Sequence, residues 1–251
     1  MDIYDIRENG IKLNLLLTTV ATASVIYHKS NGIEININKD IIIITCLHLA
    51  SKIEEEYINI KDIIMVCYNT LYLRNKNKYS QTLSSEEYEK YIDATAFCEC
   101  IILIKLKFCL TFTHPHIYFF SFLKILMDWI PNSQQFENKL LNDIQIQSLH
   151  IKVYKTALRF MQDIYKSNEM VSLLYPNEDK DNNIDPAMFA LSLIYLTFKI
   201  LNMEKIMKPN ILINTNFNKL IYYKPWWQLF IDISEHQLLI ISEKILDLYD
   251  F

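Results

Sequence analysis

Apolar positions along this chain recur mostly at spacings of three and four, the period of helices rather than of strands. Residues 10–29 keep one near-continuous helical pattern, which Asn31 and Gly32 end. Asn38 is placed to cap a helix running through Ile41, Ile44, Leu47 and Ala50 to Glu56. Asn59 is placed to cap the next, with Ile63, Ile64, Val66, Cys67 and Leu71. Residues 75–90 are polar and include Ser84 and Glu87 at capping-box spacing, and the helical pattern resumes from Tyr91 to Lys107.

The second half keeps the same rhythm. Residues 111–114 read as a connector, because a residue before proline is pushed out of helical geometry and Pro115 suits the first position of a new helix. That helix is expected over residues 115–129, and a polar stretch over 131–143 separates it from another at about 147–166. Residues 177–183, all Asn, Asp, Glu or Lys, predict a solvated loop. Asp185 and Pro186 open a helix through residue 201, and residues 202–224 read as looser chain ahead of Pro225-Trp226-Trp227. Ser234 and Gln237 form a second capping box before a helix whose Leu238, Ile241, Ile245 and Leu248 share one stripe. Leu47-His48-Leu49-Ala50-Ser51-Lys52-Ile53 is echoed 147 residues later by Ile194-Tyr195-Leu196-Thr197-Phe198-Lys199-Ile200. With the matched helix order, this predicts a duplicated all-α unit.

Composition narrows the function. The 251 residues are 51% hydrophobic and 22% charged, enough for a sizeable core and too apolar for a disordered chain. Gly10 and Gly32 are the two glycines, and they cannot build a phosphate-cradling loop, which needs several close together. A net charge of −4 speaks against direct nucleic-acid binding, which usually needs a basic surplus. The longest apolar runs, residues 41–50 and 117–130, are too short or too charged for the ~18 residues of a membrane span. Heavy use of Ile, Asn, Lys and Tyr fits AT-rich codons, so isoleucine is not taken here as a strand signal.

Candidate chemistry is sparse. Cys98 and Cys100 with Cys109, His114 and His116 suggest zinc, but two residues apart on a helix point about 200° apart and cannot share one ion. No metal and no cofactor are expected. Neither His48 nor Cys67 nor Cys98 has a partner pattern for nucleophilic or metalloprotease chemistry. The acidic run Glu54-Glu55-Glu56 reads as a solvated helix end, and Trp226-Trp227 as a core anchor. No catalytic residue emerges, which leaves recognition.

Thr45-Cys46-Leu47-His48-Leu49-Ala50-Ser51-Lys52-Ile53-Glu54-Glu55 resembles the signature of the cyclin box. Asn59-Ile60-Lys61-Asp62-Ile63-Ile64 is similar to that family's third helix. Cys98-Glu99-Cys100-Ile101-Ile102-Leu103-Ile104-Lys105-Leu106-Lys107-Phe108 is similar to its fifth, where a Glu precedes an apolar run ending in Phe. Lys107 stands where the family often has a small residue, so the closing turn is expected to differ slightly. Transcriptional cyclins, cyclin L above all, are the nearest group: His114-Pro115-His116, Lys224-Pro225-Trp226-Trp227-Gln228-Leu229-Phe230 and Lys244-Ile245-Leu246-Asp247-Leu248-Tyr249 resemble it. Cyclins K, T and Q share the His-Pro-His region.

The resemblance implies two tandem five-helix cyclin-box folds: a kinase-binding box over residues 1–110 and a second over 111–251. It implies a nuclear regulatory subunit, not itself an enzyme. Its partner would be the catalytic subunit of a cyclin-dependent kinase, which it binds and activates, of the transcription or RNA-processing kind. Lys52 and Glu99 match the family's kinase-contacting Lys and Glu, and Ile53, Leu103 and Phe108 match its apolar contact positions. A cyclin-fold adaptor in the general transcription machinery, without kinase activation, stays open as the alternative. Lys199 repeats the lysine in the second half, but Leu201-Asn202 replaces Glu-Glu, so that box is expected to be structural or an adaptor. Neither the Arg/Ser-rich tail usual in cyclin L nor the N-terminal helix of cell-cycle cyclins is expected here.

Overall fold

The computed structural model describes residues 2–31, 37–74, 83–132, 143–176, 184–203, 210–214 and 221–249. The chain divides into two compact units, Met1–Phe112 and Thr113–Phe251.

Among the described residues the first unit holds five helices: α1 (Asp2–Lys12), α2 (Leu17–Ser30), α3 (Lys39–Ile53), α4 (Ile60–Arg74) and α5 (Ser85–Lys105). Helix α3 is the core helix and packs on the other four. Its sequence explains this, since Ile43, Ile44, Cys46, Leu47, Leu49 and Ala50 cover more than half of the helix circumference and all are buried. The buried Thr45 and Ser51 hydroxyls donate back to the carbonyls of Ile41 and His48, at 2.6 and 2.8 Å. The expected caps hold. Asn38 Oδ1 accepts from Asp40 N–H, Asn59 Oδ1 from Lys61 N–H, and Ser84 and Glu87 bond reciprocally at the start of α5.

One expected helix is two. The pattern over residues 10–29 breaks because Asn14 turns left-handed (φ 55), and Leu15 N–H donates to Gly10 carbonyl to close α1. Gly10 therefore lies inside α1, against α2. A Cβ there would stand 2.5 Å from Val20 Cγ2, so the glycine permits the close crossing.

The second unit holds α6 (Pro115–Asn132), α7 (Asp143–Ile164), α8 (Asn168–Leu174), α9 (Pro186–Ile200) and α10 (Glu235–Leu246). Here α9 is central and packs on α6, α7 and α10. Trp226 and Trp227 are buried, with ring centroids 5.4 Å from Phe198 and Tyr195 of α9 respectively, as core anchors. Helix α8 is an addition to the expected elements, capped by Ser167, whose hydroxyl accepts from Met170 N–H. Within the stretch expected to be looser, β1 (Asn210–Asn214) and β2 (Ile221–Pro225) pair antiparallel, with Asn210 opposite Pro225 and Asn214 opposite Ile221. The fold class is otherwise as expected, all-α, with five α-helices in each unit among the described residues. The solvated loop expected at residues 177–183 lies outside the described residues.

The internal echo is structural. Its two copies end α3 at Ile53 and α9 at Ile200, and each helix is followed by a left-handed residue, Glu55 (φ 56) and Asn202 (φ 53). Each cap donates four residues back, Glu54 N–H to Ala50 carbonyl and Leu201 N–H to Thr197 carbonyl.

Candidate functional site

Lys52 sits in the last turn of α3 and Glu99 in the C-terminal half of α5, and the packing of these helices brings them together. Lys52 Nζ donates to both carboxylate oxygens of Glu99, at 2.8 and 2.9 Å. The pair is graded toward solvent, the lysine side chain 47% exposed and the glutamate 18%. Such an accessible pair adds only about 0–1 kcal/mol to folding. Its interest is what it presents: a cation with an N–H to spare, and a half-sheltered carboxylate.

Of the three predicted apolar positions, Phe108 is 67% exposed, whereas Ile53 and Leu103 are half-buried against the core of the unit. Phe97 and Ile104 on α5 are equally exposed and were not singled out from the sequence. Thr95, Cys98 and Ile102 form the buried side of α5. The helix thus carries apolar residues on both sides, and Phe97 and Ile104, seven residues apart, share the side that faces water. A second apolar stripe on a helix that already has a core-facing one is the sequence signal that could have found them.

The loop ends that aim these residues are built by Schellman turns. In α5, Phe108 N–H donates to Leu103 carbonyl and Lys107 N–H to Ile104 carbonyl, both at 3.0 Å. Lys107 (φ 51) occupies the left-handed position that glycine favours, and Phe108 (φ 56) follows in the same region. In α3, Glu56 N–H donates to Ser51 carbonyl and Glu55 N–H to Lys52 carbonyl.

The acidic run after Lys52 departs from its expected solvated role. Glu56 accepts from Leu16 N–H (3.0 Å) and Thr19 hydroxyl (2.7 Å), and Glu54 accepts from Thr22 hydroxyl. Leu16 caps α2 without a side-chain bond of its own, so a carboxylate from across the unit satisfies that end and meets the positive pole of α2. Only Glu55 of the three is exposed. Glu54 and Glu56 pin the end of α3, and hence Lys52, against α2.

His48 lies one turn before Lys52. Its Nδ1 is 3.8 Å from Glu99 Oε2. Burial first, then the Lys52 charge, lower its pKa, and Glu99 opposes them. Cys98 is buried and Cys100 exposed, on different sides of α5 as the helical spacing requires. Burial raises the thiols of Cys46, Cys98 and, to about 12, Cys67, which suits packing rather than nucleophilic chemistry. Among the described residues no group of three or more His, Cys, Asp or Glu side chains is gathered as metal ligands, and no helix is long and apolar enough to cross a membrane.

In the second unit Lys199 is exposed and lies 5.0 Å over the Tyr195 ring, whose hydroxyl donates to Glu235 at 2.6 Å. The duplicated lysine thus lies over an aromatic ring. His114 and His116 are buried in a cluster with Tyr165 and Tyr175. The Nδ1 of His114 is 2.9 and 2.6 Å from the two hydroxyls, and the ring of His116 stacks on Tyr165.

No family model matches the chain. It is 26% identical to cyclin-L1 of Xenopus laevis over 82% of this chain and 36% of that protein. It is 26% identical to cyclin-L2 of Mus musculus over 97% of this chain and 39% of that protein. Cyclin-L1 of Homo sapiens is 25% identical over 82% of this chain. The chain spans a little over a third of the length of these relatives. Among solved structures it superposes on one chain of the yeast RNA Pol II CTD kinase CTDK-1 complex with a TM-score of 0.62 and 16% identity, covering 99% of this chain and 64% of that one. It superposes on a chain of the CAK complex from Chaetomium thermophilum with a TM-score of 0.53 and 12% identity, covering 98% of this chain and 61% of that one. The fold is that of tandem cyclin boxes, and the resemblance to cyclin L runs over nearly the whole chain.

Proposed function

We propose that this chain is a cyclin, a regulatory subunit that binds and activates a cyclin-dependent kinase of transcription or RNA processing in the nucleus. The first unit is the kinase-binding box, and Lys52, Ile53, Glu99, Leu103 and Phe108 are its contact residues. The observation that carries this reading is the bidentate Lys52–Glu99 pair, with half-buried Ile53 next to Lys52 in sequence and half-buried Leu103 one turn from Glu99 on α5. Charge in an apolar frame suits the backbone of a helix end or loop: the ammonium bonds carbonyls, the carboxylate bonds amides, and the frame excludes water. A kinase's regulatory helix must swing inward to set its Glu against the catalytic Lys, and a partner that binds only the inward state shifts that equilibrium. The likeness to chains of two kinase complexes, one named for the polymerase II tail, supports a transcription-associated partner.

The test is a pull-down of the tagged chain from its own cells with mass spectrometry, followed by reconstitution with the recombinant kinase found. A cyclin-dependent kinase should be recovered, and its phosphorylation of a polymerase-tail peptide should rise at least tenfold with the chain added. Recovery of polymerase or general transcription factors without a kinase would instead establish the adaptor alternative.

A further inference from the structure

His48 and Lys52 are four residues apart on α3 and share a face, and both address Glu99. Lys52 holds both oxygens of that carboxylate. The Nδ1 of His48 stands 3.8 Å from Oε2, outside hydrogen-bond range, buried and without a hydrogen-bond partner. An ionised carboxylate has about four acceptor sites, so Glu99 has room for a second donor. One anion therefore has one cation in place and one titratable ring waiting beside it.

We propose that His48 is the reserve partner of Glu99. As a docking kinase draws the Lys52 ammonium toward its backbone carbonyls, the His48 ring takes a proton from solvent at Nδ1 and donates it in a hydrogen bond to Glu99. This rests on the kinase-docking reading of the same site. The only bond formed is N–H, and solvent supplies the proton. The physical need is clear: docking strips water from Glu99, and a desolvated carboxylate whose cation turns away is strongly unfavourable. Histidine is the side chain that gains charge near neutral pH. In the free chain the ring is kept neutral by burial and by Lys52. Among the described residues, Lys52 on its own helix and Glu99 on α5 are the charged groups that act on it. When Lys52 turns away, one neutralising influence goes and the attraction of Glu99 remains.

Two measurements test this. In the free chain, NMR titration of the His48 ring should give a higher pKa in Lys52→Ala than in wild type, because that substitution leaves Glu99 to the imidazole. An unchanged or lower value overturns the proposal. In the complex, calorimetry with the recombinant kinase at pH 6, 7 and 8, in two buffers of different ionisation heat, should show proton uptake by the wild type. Its affinity should rise toward pH 6 by up to about tenfold per pH unit. That uptake and pH dependence should vanish in His48→Gln, and in His48→Leu should the first variant melt below wild type. Equal uptake in wild type and variants overturns the proposal. Failure of the docking reading looks different: no kinase binds at any pH, or Lys52→Ala binds like wild type, while the titration of the free chain still decides whether His48 is coupled to Glu99.

Discussion

The Glu56 carboxylate accepts the backbone N–H of Leu16, 40 residues earlier, at the N-terminal end of α2. It takes the Thr19 hydroxyl as well, so one side chain replaces the missing cap of that helix. Glu56→Ala should cost about 1–2 kcal/mol, the sum of a lost cap and a lost charge–dipole contact. Chemical denaturation reads this directly, and a midpoint equal to wild type would show that the end of α2 is satisfied by water.

The turn that ends α5 places a lysine where the backbone is left-handed, Lys107 at φ 51. Lys107→Gly should stabilise the chain by about 0.5–1 kcal/mol, since glycine enters this region without steric strain. A lower melting temperature in the variant would contradict the assigned turn.

Acid should weaken the second unit through its histidines. Burial lowers His114 to about 3, with His116 adding to the effect, and burial alone lowers His116 to about 4. Both folded values lie below the unfolded value of about 6.5, so the unfolded chain binds more protons between pH 6.5 and 4. Stability is therefore untouched above pH 6.5 and falls as pH drops below it, by about 2 kcal/mol per histidine at pH 5. His116→Phe keeps a ring stacked on Tyr165, and should lose less stability than wild type between pH 7 and pH 5. Identical losses in melts at the two pH values would exclude His116 from the effect.

Much of this was legible in the sequence because its chemistry is local. The caps Asn38, Asn59, Ser84 with Glu87, Asp185 and Ser234 with Gln237 act within three residues of themselves, and all are found where the spacing put them. The Lys52–Glu99 pair was legible only through the family resemblance, since 47 residues separate its members. What escaped depends on distant neighbours or on a discarded signal. The break at Asn14 follows from the crossing of α1 over α2 at Gly10. The inward turn of Glu54 and Glu56 follows from where α2 starts. The β1–β2 ribbon was lost because isoleucine was discounted, although Ile211, Ile213, Ile221, Tyr222 and Tyr223 are strand-favouring residues. The exposure of Phe97 and Ile104 is invisible until the core-facing side of α5 is known.

Exposed apolar residues that serve a partner should matter little to folding. Ile104→Ser and Phe108→Ala should each leave the melting temperature within about 2 °C of wild type while weakening kinase binding by about 1–2 kcal/mol. A marked drop in stability with intact binding would make them packing residues instead.

The central claim is the interface, and isothermal titration of the recombinant kinase with Lys52→Ala, Glu99→Ala and Lys199→Ala measures it, with thermal melts as the folding control. Removing either member of a hydrogen-bonded charge pair that docking desolvates should cost about 2–5 kcal/mol, roughly 30- to several-thousand-fold in affinity. Lys199→Ala, which removes a lysine held over a tyrosine ring in the other unit, should bind within a few-fold of wild type. Wild-type affinity for Lys52→Ala and Glu99→Ala, or a large loss at Lys199→Ala, would contradict the account and move the interface to the second box.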